Sequence, residues 1–385
     1  MQPDSMEKAF DNETTDSALV ATTVTEKAIE NYPKEDADNN EDSEKIWSQI
    51  TFTGSGSEYF RIWIVNLFLS ILTLGIYSAW AKVRKTRYFY NHINIDGHNL
   101  EYTANPLQIL KGRVVAALLF GLIVWLSSTA NPTDLIIAGA IQSFIILLFP
   151  VILVLSLRFS LRNTQYRTIN FDFSGSFSQS FFNFLLLPIL ILPTLGLFIP
   201  FITKKQTEFI MQNSKLGKTP FNFNPQLTVR NFYGIYLKFF AGLFVLSVVS
   251  LIAVQTLGLL GSAKDVQLIS AFFFFIFFAW GAIWLKLAIF KLIWSQIRLD
   301  NIIFQTSINT YQGIWIFVSN MFLRIITLGL ATPWCQIRWT RYKIESLSVQ
   351  TSQSLSASFI SANKTGKDGN IAEGLDDLGG MDIGI

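Results

Sequence analysis

The sequence predicts an all-α polytopic membrane protein with small β-hairpin elements on its cytoplasmic face. Half of the 385 residues are apolar, 15% are aromatic and the mean hydropathy is +0.38, values that a water-soluble chain of this length rarely has. Two pairs of apolar stretches approach the roughly 20 residues that a helix needs to cross a bilayer. A recurring motif relates the remaining segments to one another.

The motif occurs twice at a constant offset of 254 residues. Residues 66–88 (NLFLSILTLGIYSAWAKVRKTRY) return as residues 320–342 (NMFLRIITLGLATPWCQIRWTRY). Each copy combines an apolar run, a Thr-Leu-Gly break, a tryptophan and an Arg-x-x-Arg-Tyr tail. A weaker third copy lies between them, where residues 194–196 repeat Thr-Leu-Gly and Lys204 and Lys205 follow. The chain is therefore expected to be a repeat protein.

The repeating unit is longer than this motif. A shift of 121 residues aligns residues 52–55 (FTGS) with residues 173–176 (FSGS), together with the first two Thr-Leu-Gly breaks. A unit then comprises a short β-type entry, the broken apolar segment, a basic tail, a second β-type piece and a helical hairpin. The predicted divisions are an acidic disordered tail (1–47), repeat 1 (48–170), repeat 2 (171–300), partial repeat 3 (301–360) and a Gly/Asp-rich disordered tail (361–385).

The N-terminal tail is strongly acidic. Residues 1–45 carry thirteen Asp or Glu against four Lys, few large apolar residues and no signal-peptide core. Such a tail could bind a basic partner, but a solvated tail is the simpler interpretation.

The piece after the first basic tail predicts a β-hairpin. Residues 91–102 (NHINIDGHNLEY) contain Asp96-Gly97, which suits the positive φ angles of a type I′ turn. This pairing places His92 and His98 on opposite faces of the hairpin. We therefore expect a structural strand pair and no metal site. The single cysteine, Cys335, permits no internal disulfide.

Two helical hairpins are expected to cross the membrane. Residues 114–125 pair with residues 135–157, and residues 235–260 pair with residues 266–294. The first of these stretches reaches spanning length only if it begins near Leu107.

The Thr-Leu-Gly segments leave two topologies open. Basic loops lie on both sides of the second copy, so full crossing by that copy would place positive charge on both faces of the membrane. The conflict disappears if these segments dip in and return or lie at the interface, which leaves four spans and both termini cytoplasmic. Gly75 interrupts the first copy and Pro188, Pro193 and Pro200 interrupt the second. Seven full spans with an external N-terminus is the rival topology.

A polar stripe runs along one helical face of the first and third copies, because its members recur at steps of three and four residues. The stripe and its glycine breaks comprise Asn66, Ser70, Thr73, Gly75, Asn320, Arg324, Thr327 and Gly329. Polar groups at membrane depth face a bundle interior or a cavity, so the stripe could line a path, with Arg324 attracting an anion. Alternatively, Asn and Thr join helices by hydrogen bonds while Arg324 snorkels. The second alternative is favoured, because the second copy keeps only Thr194.

Cations interleaved with aromatic residues predict contact with lipid headgroups. The candidates are Trp80, Lys82, Arg84, Lys85, Arg87, Trp334, Arg338 and Arg341. Aromatic rings anchor at headgroup depth, and each cation near an anionic surface contributes about 1 kcal/mol. Membrane lipid with anionic headgroups is the expected partner. Nucleic acid is not an expected partner, because positive charge is the one feature of the sequence that favours its binding.

Nothing in the sequence forms an evident catalytic site. No Asp or Glu lies in the predicted membrane segments, and the Gly-Ser run at residues 54–57 lacks the lysine of a phosphate loop. We expect no catalytic residue, no cofactor and a non-enzymatic, transport or channel-like role, with a lipid-organising scaffold as the alternative. An enzyme that uses Asp96, Glu101 or His92 stays open.

The repeated motif resembles the YjgN-like family of bacterial inner-membrane proteins, a domain of unknown function. The residues that carry the resemblance are Asn66, Thr73-Leu74-Gly75, Trp80, Lys82, Arg84, Arg87-Tyr88 and the Asn-Pro pairs at residues 105–106 and 224–225. It extends from Ile50 to about Ser348. The resemblance implies a polytopic inner-membrane protein with a cytoplasmic C-terminus, and it supplies no substrate or catalytic residue.

Overall fold

Helical hairpins and pairs of strands alternate along the chain. The structure is a computed structural model that describes residues 46–129, 131–224, 227–258, 263–299 and 302–351. These residues form ten helices in five hairpins. The helices are α1 (Gly56–Leu72), α2 (Ser78–Asn91), α3 (Pro106–Ser128), α4 (Pro132–Arg162), α5 (Phe177–Ile189), α6 (Ile199–Gln212), α7 (Val229–Gly258), α8 (Ala263–Trp294), α9 (Thr310–Ile326) and α10 (Thr332–Glu345).

The strands are short, with two to five residues each. They are β1 (Ile46–Gln49), β2 (Thr51–Phe52), β3 (Ile93–Ile95), β4 (His98–Tyr102), β5 (Thr164–Tyr166), β6 (Ile169–Phe173), β7 (Ser214–Leu216), β8 (Thr219–Phe223), β9 (Ile297–Leu299), β10 (Ile302–Thr306) and β11 (Leu347–Thr351).

All eleven strands belong to one antiparallel sheet, in the order β1-β11-β10-β9-β8-β7-β6-β5-β4-β3-β2. The two strands at the ends of this order, β1 and β2, are neighbours in the chain and are separated only by Ile50. β1 pairs with β11, and β2 pairs with β3. The sheet is therefore a nearly closed ring. The predicted all-α class is wrong, because the β pieces join into this ring instead of standing as isolated hairpins.

Apolar side chains fill the inside of the strand ring. Strands from all around the sheet contribute to one buried cluster, which Tyr59 of α1, Tyr88 of α2 and Ile337 of α10 complete. Tyr166 donates its hydroxyl hydrogen bond to the carbonyl of Ile95 at 2.8 Å, so the polar atom of this buried ring is satisfied. Ile50, between β1 and β2, belongs to the cluster, and its strand members are Phe52, Ile93, Tyr166, Ile169, Leu216, Leu299, Ile302, Leu347 and Val349.

The helical hairpins also form a closed sequence of neighbours. Each hairpin packs on the next, and α10 returns to pack on α1. At this last junction Phe60 stacks on Trp334 with ring centroids 4.9 Å apart. Tyr59 donates a hydrogen bond to Oε1 of Gln336 at 3.0 Å. A side chain at Gly56 would meet the Trp334 ring at 2.2 Å. The close approach of α10 and α1 therefore depends on a glycine.

Four helices are long and apolar enough to cross a membrane, and they form the second and fourth hairpins. Their candidate spans are Pro106–Ser128, Pro132–Arg162, Val229–Ala253 and Ser270–Trp294. At most 17% of the most apolar part of each span is buried inside the protein, so these surfaces suit contact with lipid. The first span begins at Pro106, next to the Leu107 start that its predicted length required.

The Thr-Leu-Gly breaks are the turns of the other three hairpins. Leu74, Leu195 and Leu328 adopt left-handed φ angles of 49°, and each is followed by a glycine with φ between 85° and 91°. These turns reverse the chain, so that α2 packs back on α1 and α10 on α9. The three leucines are 95%, 93% and 93% exposed at the hairpin tips.

Two of the predicted divisions of the chain fall inside strands. The boundary at residue 48 falls inside β1, and the boundary at residue 171 falls inside β6. The repeat boundaries stay a prediction. The C-terminal tail and all but the last two residues of the acidic tail lie outside the described residues.

Candidate functional site

The two asparagines of the polar stripe are buried between helices. Asn66 in α1 is 7% exposed and Asn320 in α9 is 5% exposed. The side-chain amide of Asn320 donates a hydrogen bond to the carbonyl of Cys335 in α10 at 3.2 Å. Oδ1 of each asparagine is buried without a hydrogen-bond partner among the described residues. Asn320 therefore joins two helices and still presents one unused acceptor.

The threonines of the stripe stabilise helix ends. Thr73 donates to the backbone carbonyl four residues earlier at 2.7 Å and accepts from the backbone N–H four residues later at 2.9 Å. Thr327 makes the same two bonds at 2.7 and 3.0 Å. Gly75 and Gly329 donate their N–H groups to the carbonyls of Ser70 and Arg324, each at 2.7 Å. Thr73, Thr327 and both glycines therefore build the turns.

A cavity of about 540 Å³ lies between α8, α9 and α10, and we call it the Asn320 cavity. Asn320 and Arg324 line it from α9, and Lys286 lines it from α8. The rest of the wall is largely apolar. The lining residues are Ala282, Ile283, Lys286, Leu287, Phe317, Asn320, Met321, Arg324, Ile325 and Trp339.

A second cavity, of about 450 Å³, lies between α2, α9 and α10, and we call it the Lys85 cavity. Arg324 and Trp339 line both cavities, so they form the wall that the two share. The lining residues are Lys85, Thr86, Phe89, Tyr90, Ile93, Arg324, Gln336, Trp339 and Thr340.

The walls of both cavities carry cations and no carboxylate. In the part of the chain that the structure describes, Lys85, Lys286 and Arg324 form no ion pair with Asp or Glu. Burial and, secondly, the charge of Arg324 lower the pKa of Lys85. Residues from the first, fourth and fifth hairpins thus create a region of positive potential.

Only some residues of the predicted polar stripe line a cavity. Asn320 and Arg324 line the Asn320 cavity, whereas Asn66, Ser70 and Thr73 line neither of the two cavities. Lys85, which was predicted to contact headgroups, lines the Lys85 cavity; its contact with headgroups stays a prediction. The sequence placed Trp339 among the aromatic residues of the basic cluster at residues 338–341, but it did not indicate that Trp339 lines a cavity.

Several predicted headgroup residues are tied to the protein itself. Arg87 donates to the carbonyl of Tyr102 at 3.2 Å, and Arg341 donates to the carbonyl of Gly54 at 2.8 Å. Arg338 donates to the hydroxyl of Ser319 at 2.9 Å, and Trp334 stacks on Phe60. Their exposed faces remain accessible, so these bonds do not exclude contact with lipid.

The remaining members of this group are placed differently. Arg84 is exposed. Trp80 stacks on Tyr77 with ring centroids 6.1 Å apart. Burial and, secondly, Arg113 lower the pKa of Lys82. We infer that Arg84 is the least constrained cation of the group.

His92, which follows the last residue of α2, takes part in a local polar cluster. Nε2 of His92 lies 3.7 Å from a carboxylate oxygen of Glu58, and its Nδ1 lies 2.7 Å from the carbonyl of Tyr88. The hydroxyl of Tyr88 donates to the same carboxylate at 3.1 Å. Within the described ranges, no group of three His, Cys, Asp or Glu residues is arranged to hold a metal ion.

Comparison with known proteins supplies relatives but no activity. Residues 48–378 match a family described as a bacterial protein of unknown function, DUF898. The chain is 25% identical over 146 residues to the inner membrane protein YjgN of Salmonella typhimurium, and 28% identical over 149 residues to that of Escherichia coli K12. Each match covers 38% of this chain and 36% of the relative. These matches confirm the YjgN-like resemblance. No solved structure matches the chain.

Proposed function

Because the chain belongs to the bacterial family of unknown function DUF898, we propose from its geometry that it is a multi-pass inner-membrane protein with a non-enzymatic, transport-like role. The names of its relatives and the four long apolar helices support the location. In this proposal the second and fourth hairpins cross the bilayer, the three Thr-Leu-Gly hairpins dip in and return, and both termini are cytoplasmic.

The observation that carries the proposal is the placement of Asn320 and Arg324 in the wall of one cavity. A protein that handles a solute needs polar groups which the solute can reach, whereas a packed helix interface seals them. Here two cations, Arg324 and Lys286, line a space of about 540 Å³ beside the amide of Asn320. Pockets of a few hundred Å³ are the usual size for small ligands. The cavity therefore has the size and the polarity of a solute site.

A scaffold that organises lipid is the second candidate. The apolar cluster that fills the strand ring leaves no evident aqueous route along the ring axis. The exposed leucines at three hairpin tips present apolar surface that suits lipid. In a scaffold, the basic and aromatic surface would act on anionic headgroups and the cavities would have no solute role.

The reactivity of cysteines placed at two neighbouring positions distinguishes the transport-like role from the scaffold. Ile325 lines the Asn320 cavity and Ile326 does not, although each is 62% exposed. In a Cys335→Ala background we expect a cysteine at residue 325 to react with a membrane-impermeant thiol reagent, because water in the cavity allows thiolate formation. A cysteine at residue 326 should react slowly, because lipid surrounds it.

Right-side-out and inverted membrane vesicles complete this experiment. Reaction at residue 325 from at least one side, together with protection at residue 326, supports a water-filled cavity. If the residue 325 variant folds and resists the reagent from both sides, the transport-like role is contradicted and the scaffold is favoured.

A further inference from the structure

Arg324 occupies the place where three hairpins meet. Its side chain lines the Asn320 cavity together with Lys286 and the Lys85 cavity together with Lys85. Lys85 and Arg324 are 239 residues apart in the chain, so the fold itself brings their charges together. A single membrane-surface cation needs no such convergence.

The charges of this junction are not neutralised by the protein. Neither cavity wall contains Asp or Glu, and in the described ranges none of the three cations forms an ion pair with a carboxylate. Like charges held together repel one another unless an anion or water lies between them. The low pKa of Lys85, caused by burial and then by Arg324, agrees with this repulsion. An anion bound between the cations would remove this repulsion.

Asn320 lies beside this junction. The residue is 5% exposed, and its amide N–H group donates to the carbonyl of Cys335 in α10. Its Oδ1 is buried as well. The side chains of Lys85, Lys286 and Arg324 are exposed. The groups that a ligand can reach at this junction are therefore the three cations.

The apolar part of the wall fits the remainder of an amphiphile. Ile283, Leu287, Phe317, Met321 and Ile325 surround the polar groups of the Asn320 cavity. The unbranched side chain of Met321 adapts to the contour of a flexible chain. A purely hydrophilic anion would leave this wall without a partner.

Resting on the proposed function, we propose that the Lys85–Arg324–Lys286 junction binds a phosphate group. A glycerol-bearing phospholipid headgroup and a free phosphate share the anionic part of this chemistry. Arginine and lysine are the side chains that most often bind phosphate in proteins.

The test uses the full-length protein in detergent with phosphatidylglycerol, phosphatidylcholine or inorganic phosphate, and native mass spectrometry to count retained ligand. The wild type should retain phosphatidylglycerol in preference to phosphatidylcholine. Arg324→Gln should lower this retention about tenfold, the effect of losing one charged hydrogen bond. The matched control is Arg298→Gln, which removes an exposed cation of β9 outside both cavities and should change retention less than about twofold.

The competing anion identifies the source of the phosphate. If inorganic phosphate displaces phosphatidylglycerol from the wild type but not from Arg324→Gln, the site takes free phosphate; if only the lipid binds, the site takes a headgroup.

Two further variants, Arg324→Lys and Lys85→Gln, cover the case in which Arg324→Gln fails to fold. Arg324→Lys should retain more lipid than Lys85→Gln. Equal retention by wild type and both folded Arg324 variants would overturn the proposal. Thiol reactivity at residue 325 without anion binding would defeat this inference and leave the transport-like role intact.

Discussion

At the scale of single residues, the recurring polar side chains have two different tasks. Thr73 and Thr327 each satisfy two backbone groups at a helix end, so their recurrence follows from the geometry of the turn. Asn320 instead reaches across to α10. Sequence spacing alone could not separate these tasks, because both place a polar residue on the same helical face.

Asn320→Leu should lower the stability of the protein in detergent by about 0.6 to 1.7 kcal/mol. The variant loses one interhelical hydrogen bond of the kind measured in membrane proteins. It also removes the unsatisfied Oδ1, which keeps the loss small. Thermal unfolding of the purified variant measures the effect. A loss above about 3 kcal/mol would show that the residue supports a larger network.

Gly56→Ala should destabilise the junction of α1 and α10 by about 1 to 3 kcal/mol, because a Cβ atom would lie 2.2 Å from the Trp334 ring. Gly121→Ala is the matched control, since no atom lies within 4 Å of a Cβ atom at that helical position. The control should be neutral or up to about 1 kcal/mol more stable. Equal melting temperatures for the two variants would mean that the Trp334 ring moves away without cost.

Alkaline pH should destabilise the same junction through Tyr59. Burial and, secondly, the neighbouring Tyr88 raise the pKa of Tyr59 from 10.0 to about 12. The folded state therefore favours the neutral phenol, and this contribution is complete below pH 10 and lost as pH rises towards about 12. Tyr59→Phe lacks the hydrogen bond to Gln336 and should be less stable near neutral pH, yet its stability should fall less steeply across this interval. Chemical denaturation measures the stability of both proteins at each pH. If the stability of the wild type and of Tyr59→Phe falls equally with rising pH, Tyr59 is not the group that titrates.

At the scale of single elements, the turns and helix caps with characteristic residues were the easiest to predict from the sequence. Asp96 and Gly97 have φ angles of 49° and 77°, as the predicted hairpin turn requires. The repeated FTGS and FSGS sequences prove to be strand ends followed by helix caps, in which Ser55 and Ser176 accept from a backbone N–H at 3.2 Å. The turn at Arg167-Thr168 also has positive φ values but lacks Gly or Asn. It therefore gave no signal that a sequence pattern could use.

The Thr-Leu-Gly hairpins should reach only the middle of the bilayer. A helix rises about 1.5 Å per residue, so the apolar part of α1, from Ile62 to Leu72, extends about 16 Å against a hydrocarbon core of about 30 Å. We expect fluorescent labels on cysteines at residues 74, 195 and 328 to be quenched most strongly by lipids brominated deep in their acyl chains. Labelling of these positions by an impermeant reagent from the face opposite Arg84 would show complete crossing and favour seven spans.

At the scale of the whole molecule, the membrane class and the long helices were predictable, whereas the strand ring was not. Composition and length identify a spanning helix, because the bilayer imposes both. The ring depends on strands of two to five residues, too short to show a clear alternation of side chains. Its closure joins β1 to β11, and no local pattern reports a pairing across some 300 residues. The cationic junction was hidden for the same reason, since Lys85 and Arg324 meet only in the closed fold.

The pairing of β1 with β11 closes the strand ring, so an experiment on this pairing tests the ring most directly. Gln49 lies opposite Ser348 in the β1–β11 register. Opposed residues of antiparallel strands have Cα atoms about 4.5 to 5.5 Å apart, a distance that a disulfide can bridge. In a Cys335→Ala background, Gln49→Cys with Ser348→Cys should therefore form a disulfide under mild oxidation. The control pair, Gln49→Cys with Gln350→Cys, is displaced by two residues and should oxidise more slowly. After cleavage of a protease site inserted at residue 130, the first pair should hold the fragments together on a non-reducing gel. Equal oxidation of the two pairs would mean that the register slides, and a failure of both would mean that the ring is open.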